Sequence, residues 1–130
     1  MNQLLPQEVV DKIMREEQHF AAVPQAFFEA WKRGAEIAGP EWFGDGTRDG
    51  LNQAKSKWDL RPNMLRLNDA LSVLSSGQRM FLSAMVSFYN AHEGGAMLKR
   101  CHFHGLSDFD GLDLERRKVI ANLMLNYSGW

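Results

Sequence analysis

The stretch from Leu74 to Asn90 limits what this chain can fold into more than any other. It reads Leu-Ser-Ser-Gly-Gln-Arg-Met-Phe-Leu-Ser-Ala-Met-Val-Ser-Phe-Tyr-Asn. Ser75 stands where an N-cap belongs, and Gln78 follows three residues later, where a capping box takes Glu or Gln. Phe81, Met85 and Phe88 then share one helical face, and Leu82, Val86 and Tyr89 the next. Beyond Ser75-Ser76, only Gln78, Arg79, Ser83, Ser87 and Asn90 are polar. A helix that is apolar over most of its circumference must be enclosed by other elements. The pattern therefore predicts a central helix, stopping at the Gly94-Gly95 pair, with the remaining segments packed around it.

Those segments also read as helices. Pro6 suits a first helical turn, and Gln7 to Ala22 carries Val9, Ile13 and Phe20 on one face with Val10 and Met14 beside them. Pro24 should end this helix and open a second, because the residue before a proline is pushed away from helical angles. The second runs from Gln25 to Ala38 with the stripe Phe27, Phe28, Trp31, Ala35 and Ala38, and Gly39-Pro40 stops it. Gly39 to Gly50 is glycine-rich and reads as a loop; Leu51 to Lys57 is weakly helical. Asn68 is a candidate N-cap for a short helix, Asp69 to Leu74. After the central helix come short helices at Ala96 to Cys101 and from Ser107. Asp113 is a good N-cap for a last helix, Leu114 to Asn126, with Ile120, Leu123, Met124 and Tyr127 as its stripe. No segment alternates like a strand. The expected fold is all-α: a compact single-domain helical bundle, residues 1–130, of four main helices plus short ones around the central apolar helix.

A chain of 130 residues suits one domain, and folding at this size buries roughly two-thirds of the extended surface, enough for one core without staples. The 15 basic and 16 acidic residues nearly cancel. That removes the long-range field of a dedicated nucleic-acid binder while leaving room for local patches. Cys101 is the single cysteine, which excludes an intramolecular disulfide and suits a reducing compartment. The first residues lack the basic and apolar regions of a signal peptide, and no apolar run reaches membrane-spanning length. A soluble, cytoplasmic protein is expected.

Candidate chemistry is incomplete throughout. Cys101, His102 and His104, with His92 before them and Asp108 and Asp110 after, are the best metal candidates. Thiolate and imidazole bind zinc, but a closed site takes four ligands, and adjacent Cys101 and His102 are poorly spaced to share one ion. His92, His102 and His104 could form an open three-histidine site. Asp45-Gly-Thr-Arg-Asp-Gly50 resembles the start of a calcium loop, yet Ser56 stands where the bidentate glutamate is needed. There is no Gly-x-Ser-x-Gly elbow, no His-Glu-x-x-His and no phosphate-cradling loop. No enzyme and no cofactor are expected; a metal-binding module or small metal-dependent enzyme on His92, Cys101, His102 and His104 is the alternative.

Two basic sets remain: Lys55, Lys57, Arg61 and Arg66 around Trp58, and Lys99, Arg100, Arg116, Arg117 and Lys118. Arg116, Arg117 and Lys118 fall early in the last helix, where the macrodipole disfavours cations. A basic stripe with an aromatic can track a nucleic-acid backbone, which supplies a further alternative. Tryptophan is also enriched where protein partners anchor. Among Trp31, Trp42, Trp58 and Trp130, the candidates for such a contact are Trp42 and Trp58. They are joined by Lys55, Lys57, Arg61, Arg116, Arg117 and Lys118.

Leu74-Ser-Ser-Gly-Gln-Arg-Met-Phe-Leu82, Phe88-Tyr-Asn90, Leu112-Asp113 and Tyr127-Ser-Gly-Trp130 resemble stretches of small uncharacterised helical proteins of plasmids and conjugative elements. The resemblance covers roughly the second half of the chain and implies context, with no residue's role carried over. Such cargo includes compact proteins that bind and disable host defence complexes, anti-CRISPR proteins among them. The expectation is a non-enzymatic domain that binds another protein or complex, such as a CRISPR effector, as a mobile-element accessory or inhibitor. A homodimer is within that expectation, nucleic acid is the lesser partner, and no membrane is involved.

Overall fold

The computed structural model describes residues 5–130. Among them are six α-helices: α1 (Gln7–Ala38), α2 (Arg48–Gln53), α3 (Met64–Ala70), α4 (Ser76–Tyr89), α5 (Ala91–Arg100) and α6 (Leu114–Leu125). Four 3-10 turns, Pro40–Trp42, Lys57–Leu60, Leu71–Val73 and Leu106–Gly111, fill the connections. No strand occurs among these residues, only an isolated bridge between Phe43 and Pro62. The all-α expectation holds, and none of the described helices is long and apolar enough to cross a membrane.

Helix α4 is the centre. Ser75 Oγ accepts the Gln78 backbone N–H at 3.3 Å, so the expected cap is made. The reciprocal half of the capping box is not: Gln78 Nε2 donates instead to Ala38 O at 2.7 Å, tying the start of α4 to the end of α1. Phe81 to Val86 are buried without interruption, as a helix apolar all round requires. Ser83, the polar member of that run, donates its hydroxyl to Arg79 O at 2.6 Å within its own helix. Each large side chain fully buried here contributes roughly 1.5–3 kcal/mol. Helices α1, α5 and α6 all pack on α4.

Four boundaries differ from the sequence expectation. Helix α1 is one helix of 32 residues and runs through Pro24. A proline inside a helix leaves the carbonyl four residues earlier without a donor. Here that residue is Phe20, and both Phe20 and Pro24 are exposed, so the freed carbonyl lies on the solvent side of the helix and is not sealed in the core. Helix α4 ends at Tyr89, before the Gly94-Gly95 pair, and Asn90 Oδ1 accepts the Glu93 N–H at 3.0 Å to cap α5. Both glycines lie inside α5. The short helix expected from Asp69 begins earlier, at Met64, so Asn68 is an interior residue; its side-chain oxygen accepts from Arg100 at 3.1 Å. In α6, Val119, Ile120 and Leu123 are buried, whereas Met124 and Tyr127 are exposed.

Trp31 holds the second half of α1 to the body. It is fully buried, donates Nε1–H to Leu60 O at 2.8 Å, and meets Phe43 and Trp130 edge-on. Gly44 makes the turn opposite possible. Its φ is 60°, and a Cβ there would stand 2.4 Å from Asp59 O, so glycine alone fits.

Candidate protein-interaction surface

Helix α6 lies antiparallel along α1: Arg33 pairs with Glu115 at 3.6 Å, Gly34 packs on Val119, and His19 Nε2 meets Leu125 O at 2.9 Å. Among the described residues, nothing buries α1 on the N-terminal side of His19. From Leu5 to Ala22 only Val10 and His19 are half-buried; every other residue is exposed. This projecting arm bears the stripe seen in the sequence, with Val9 37%, Ile13 41%, Met14 50% and Phe20 58% exposed. The sequence expectation packed that stripe into a core. The structure leaves it exposed, in step with Phe27 and Trp31, which are buried about two and three turns beyond Phe20 on the same helix. Met124 and Leu125, also exposed, stand at the foot of the arm.

On the body beside the arm is a groove of about 390 Å³, bordered by Ala21, Pro24, Phe28, Lys55, Lys57 and Trp58. Trp58 is 54% exposed and leans edge-on against Trp130. Lys57 Nζ sits 5.2–5.6 Å from the ring centres of Phe27, Trp58 and Trp130, a cation held over aromatic faces, and donates to Gly129 O at 3.0 Å. Partial burial pushes its ammonium below the ordinary lysine range. Lys32, over the Phe28 ring, donates to Asn52 O at 3.3 Å. Among the described residues none of Lys32, Lys55 and Lys57 has a carboxylate within ion-pair distance. Arg61 is exposed nearby, at the edge of a second, polar cavity shared with Trp58 and Asp59. Of the residues expected at an interface, Trp58, Lys55, Lys57 and Arg61 therefore lie together at the surface.

The others do not join them. Trp42 is a core residue, 7% exposed. The turn that carries it follows directly on α1, and Trp42 O accepts the Asn63 N–H at 2.8 Å, which folds the loop inward over the indole. Arg116 and Arg117 serve the start of α6. Arg116 pairs with Asp113 at 2.6 Å, and its guanidinium lies 5.5 Å from the Phe81 ring centre. Arg117 donates Nε–H to Leu112 O at 2.7 Å and a second N–H to Asp110 O. These bonds to the preceding loop account for cations placed against the helix dipole. Lys118 is exposed and pairs with Glu115 at 3.7 Å.

The Cys-His segment is scattered. His92, His102 and His104 are exposed, Cys101 is half-buried with Sγ 3.4 Å from Ser83 Oγ, and His104 stands 3.8 Å from Asp108. His102 takes the left-handed conformation, φ 60°. Among the described residues no three His, Cys, Asp or Glu side chains gather as a metal site would require, so the ligand set His92, Cys101, His102 and His104 is not brought together. The calcium-like loop is a turn: Asp45 Oδ1 accepts from the Thr47 hydroxyl at 2.7 Å and from its N–H at 2.9 Å, and Thr47 Oγ1 caps α2 through Gly50 N–H.

Three carboxylates are held below the usual aspartate range: Asp45 by the Thr47 hydroxyl and N–H, Asp108 by the His104 N–H, and Asp113 by the Arg116 N–H and guanidinium. A depressed folded-state pKa adds stability above the unfolded value and loses it as pH falls through the folded one. The stability difference between the wild type and Asp113→Asn should therefore narrow as pH drops from about 5 past the ordinary aspartate value of 3.8. Urea unfolding at a series of pH values measures this; a difference independent of pH would show that the Asp113 charge contributes nothing.

Compared with protein-family models, curated proteins and solved structures, the chain shows no significant match. What the fold and surface define is an all-α protein with a projecting helical arm beside a basic, aromatic groove.

Proposed function

We propose that this chain is a non-enzymatic protein-binding domain whose binding element is the arm of α1 together with the groove at its foot. The observation that carries the reading is the uncovered stripe Val9, Ile13, Met14 and Phe20. A lone helix of this length is marginal in water, because most helical stability comes from packing an apolar face. An apolar stripe kept in step with the core, on a helix that no other described residue covers, is what a partner's surface covers. Trp58, Lys55 and Lys57, in the groove that Ala21 and Pro24 of α1 also border, add an aromatic anchor and positive charge beside the arm. The finer part of the reading, an accessory or inhibitor protein of a mobile element acting on a host defence complex such as a CRISPR effector, draws on the resemblance of the second half of the chain.

The test uses Ile13→Asp and Phe20→Asp in the full chain, with association measured by co-purification and sedimentation. Both side chains are exposed, so each variant should keep the wild-type stability within about 0.5 kcal/mol, while association with protein partners falls at least tenfold. Variants that fold normally and keep every wild-type association would overturn the reading. So would variants that unfold, since the stripe would then be structural.

A further inference from the structure

We propose that the groove lined by Lys57 and Trp58 is a binding site for a small anionic ligand with a flat apolar body, an aromatic carboxylate in its simplest form. The site is separate from the exposed stripe of α1 and goes beyond the protein-binding reading.

The groove holds about 390 Å³, within the range of sites that enclose small molecules. Much of its wall is apolar, with Phe27, Phe28 and Trp58 supplying three rings. Its charged members are two ammonium groups, Lys55 and Lys57, and no aspartate or glutamate among the described residues lines it. Other cavities of similar volume differ on this point. Glu29 and Glu115 line the one between α1 and α6, Asp69 one on α3, and Asp45 and Asp59 the polar one shared with Trp58. Lys32, its ammonium 6.0 Å from the Phe28 ring centre, adds a third cation beside the groove. The carboxylate nearest to Lys57 in sequence, Asp59, is already engaged: its Oδ2 accepts the Lys55 N–H at 2.9 Å and the Ser56 N–H at 3.3 Å. The groove is therefore locally positive in a chain whose formal net charge is -1.

Lys57 sets where an anion would sit. Its Nζ lies 5.2–5.6 Å from the ring centres of Phe27, Trp58 and Trp130 and donates to Gly129 O at 3.0 Å. An ammonium has three N–H donors, so two remain. Partial burial disfavours the charged form of this lysine. An oxyanion on the two remaining donors supplies the counter-charge and makes charge-assisted hydrogen bonds. Trp58, 54% exposed, offers the surface against which a flat body packs. A neutral ligand would leave Lys57 without a counter-charge, and a bare inorganic anion would leave the rings in water. The two halves of the lining thus call for charge and apolar body in one molecule.

Calorimetric titration of the full chain with naphthoate tests this. The wild type should bind one naphthoate per chain. Naphthamide, which keeps the body without the charge, and acetate, which keeps the charge without the body, should each bind at least tenfold more weakly. Lys57→Met and Trp58→Ala should each weaken naphthoate binding at least tenfold. Trp58 is exposed, so Trp58→Ala reads the groove even where Lys57→Met loosens the Gly129 contact. A wild type that binds no naphthoate, naphthamide or acetate bound as tightly as naphthoate, or naphthoate binding indifferent to Trp58→Ala or to a folded Lys57→Met would each overturn the proposal. The titration involves no protein partner, so its outcome is independent of whether the arm binds one.

Discussion

Gly94→Ala should destabilise the protein by about 3 kcal/mol or more, while Gly95→Ala, one residue on, should stabilise it by up to about 1 kcal/mol. Both glycines are inside α5, where alanine is the better helix former. They differ in what surrounds them. A Cβ on Gly94 would stand 2.2 Å from Ser87 Cα and 2.3 Å from Ser87 N, which are backbone atoms of α4 that cannot rotate away. The two helices would have to separate along the chain's most extensive helix contact, and that shift outweighs the gain in propensity. A Cβ on Gly95 meets nothing within 4 Å, so the propensity gain stands alone. Urea midpoints of the two variants give the measurement. Equal effects of the same sign would show that α4 and α5 do not approach as closely at Ser87 as described.

The same pair shows where sequence reading stops. Glycine ends helices and glycine lets helices touch, and the letters are identical for both uses. Ser75 and Asp113 were legible because capping is local: a side-chain oxygen reaches a backbone N–H three residues on, and both bonds are made. The apolar circumference of α4 was legible because no solvent-facing helix tolerates it. Pro24 was misleading for a tertiary reason. Its cost falls on the carbonyl of Phe20, and whether water can reach that carbonyl depends on which side of α1 the body covers. Asn90 was hidden because the apolar pattern of α4 runs up to it and the helix formers of α5 follow directly.

The binding surface was legible in part for related reasons. Trp58, Lys55, Lys57 and Arg61 share a short stretch, and a turn rich in polar residues tends to the surface. Trp42 lies in similar company but follows α1 too closely to escape the core. Arg117 reads as surplus charge because the carbonyls it satisfies, Leu112 O and Asp110 O, belong to a turn that is recognisable only once folded, and Arg116 because its partner, the Asp113 carboxylate, already serves as the helix cap. The stripe Val9, Ile13 and Phe20 was visible as a stripe. That it is uncovered could not be read, since a helical period shows that one face is apolar and says nothing of what lies against it. The break at Glu16-Glu17 was the available hint that this face differs from that of Phe27 and Trp31.

Met85→Asp should leave no folded population at neutral pH, whereas Ile13→Asp should fold like the wild type. The chemical change is nearly the same; the surroundings decide. Met85 is fully buried at the centre of α4, its thioether within 2.7 Å of where a Cβ on Gly34 would lie, so α1 closes directly on it. A carboxylate there has no ion partner and no donor aimed at it. Transferring even a neutral polar group into such a site without a hydrogen bond costs about 2–7 kcal/mol, and an ionised one more. Total stability of a domain this size is about 5–15 kcal/mol, so the loss consumes most or all of it. The cavity left by the lost thioether adds to this. Met85→Leu separates shape from charge: it keeps the volume and should cost less than about 1.5 kcal/mol. Far-ultraviolet circular dichroism and a urea titration distinguish the three variants. A cooperative, wild-type-like transition for Met85→Asp would mean that α4 is exposed, and the core around it would then have to be rebuilt. Together with an unfolded Ile13→Asp, it would mean that the arm carries the core.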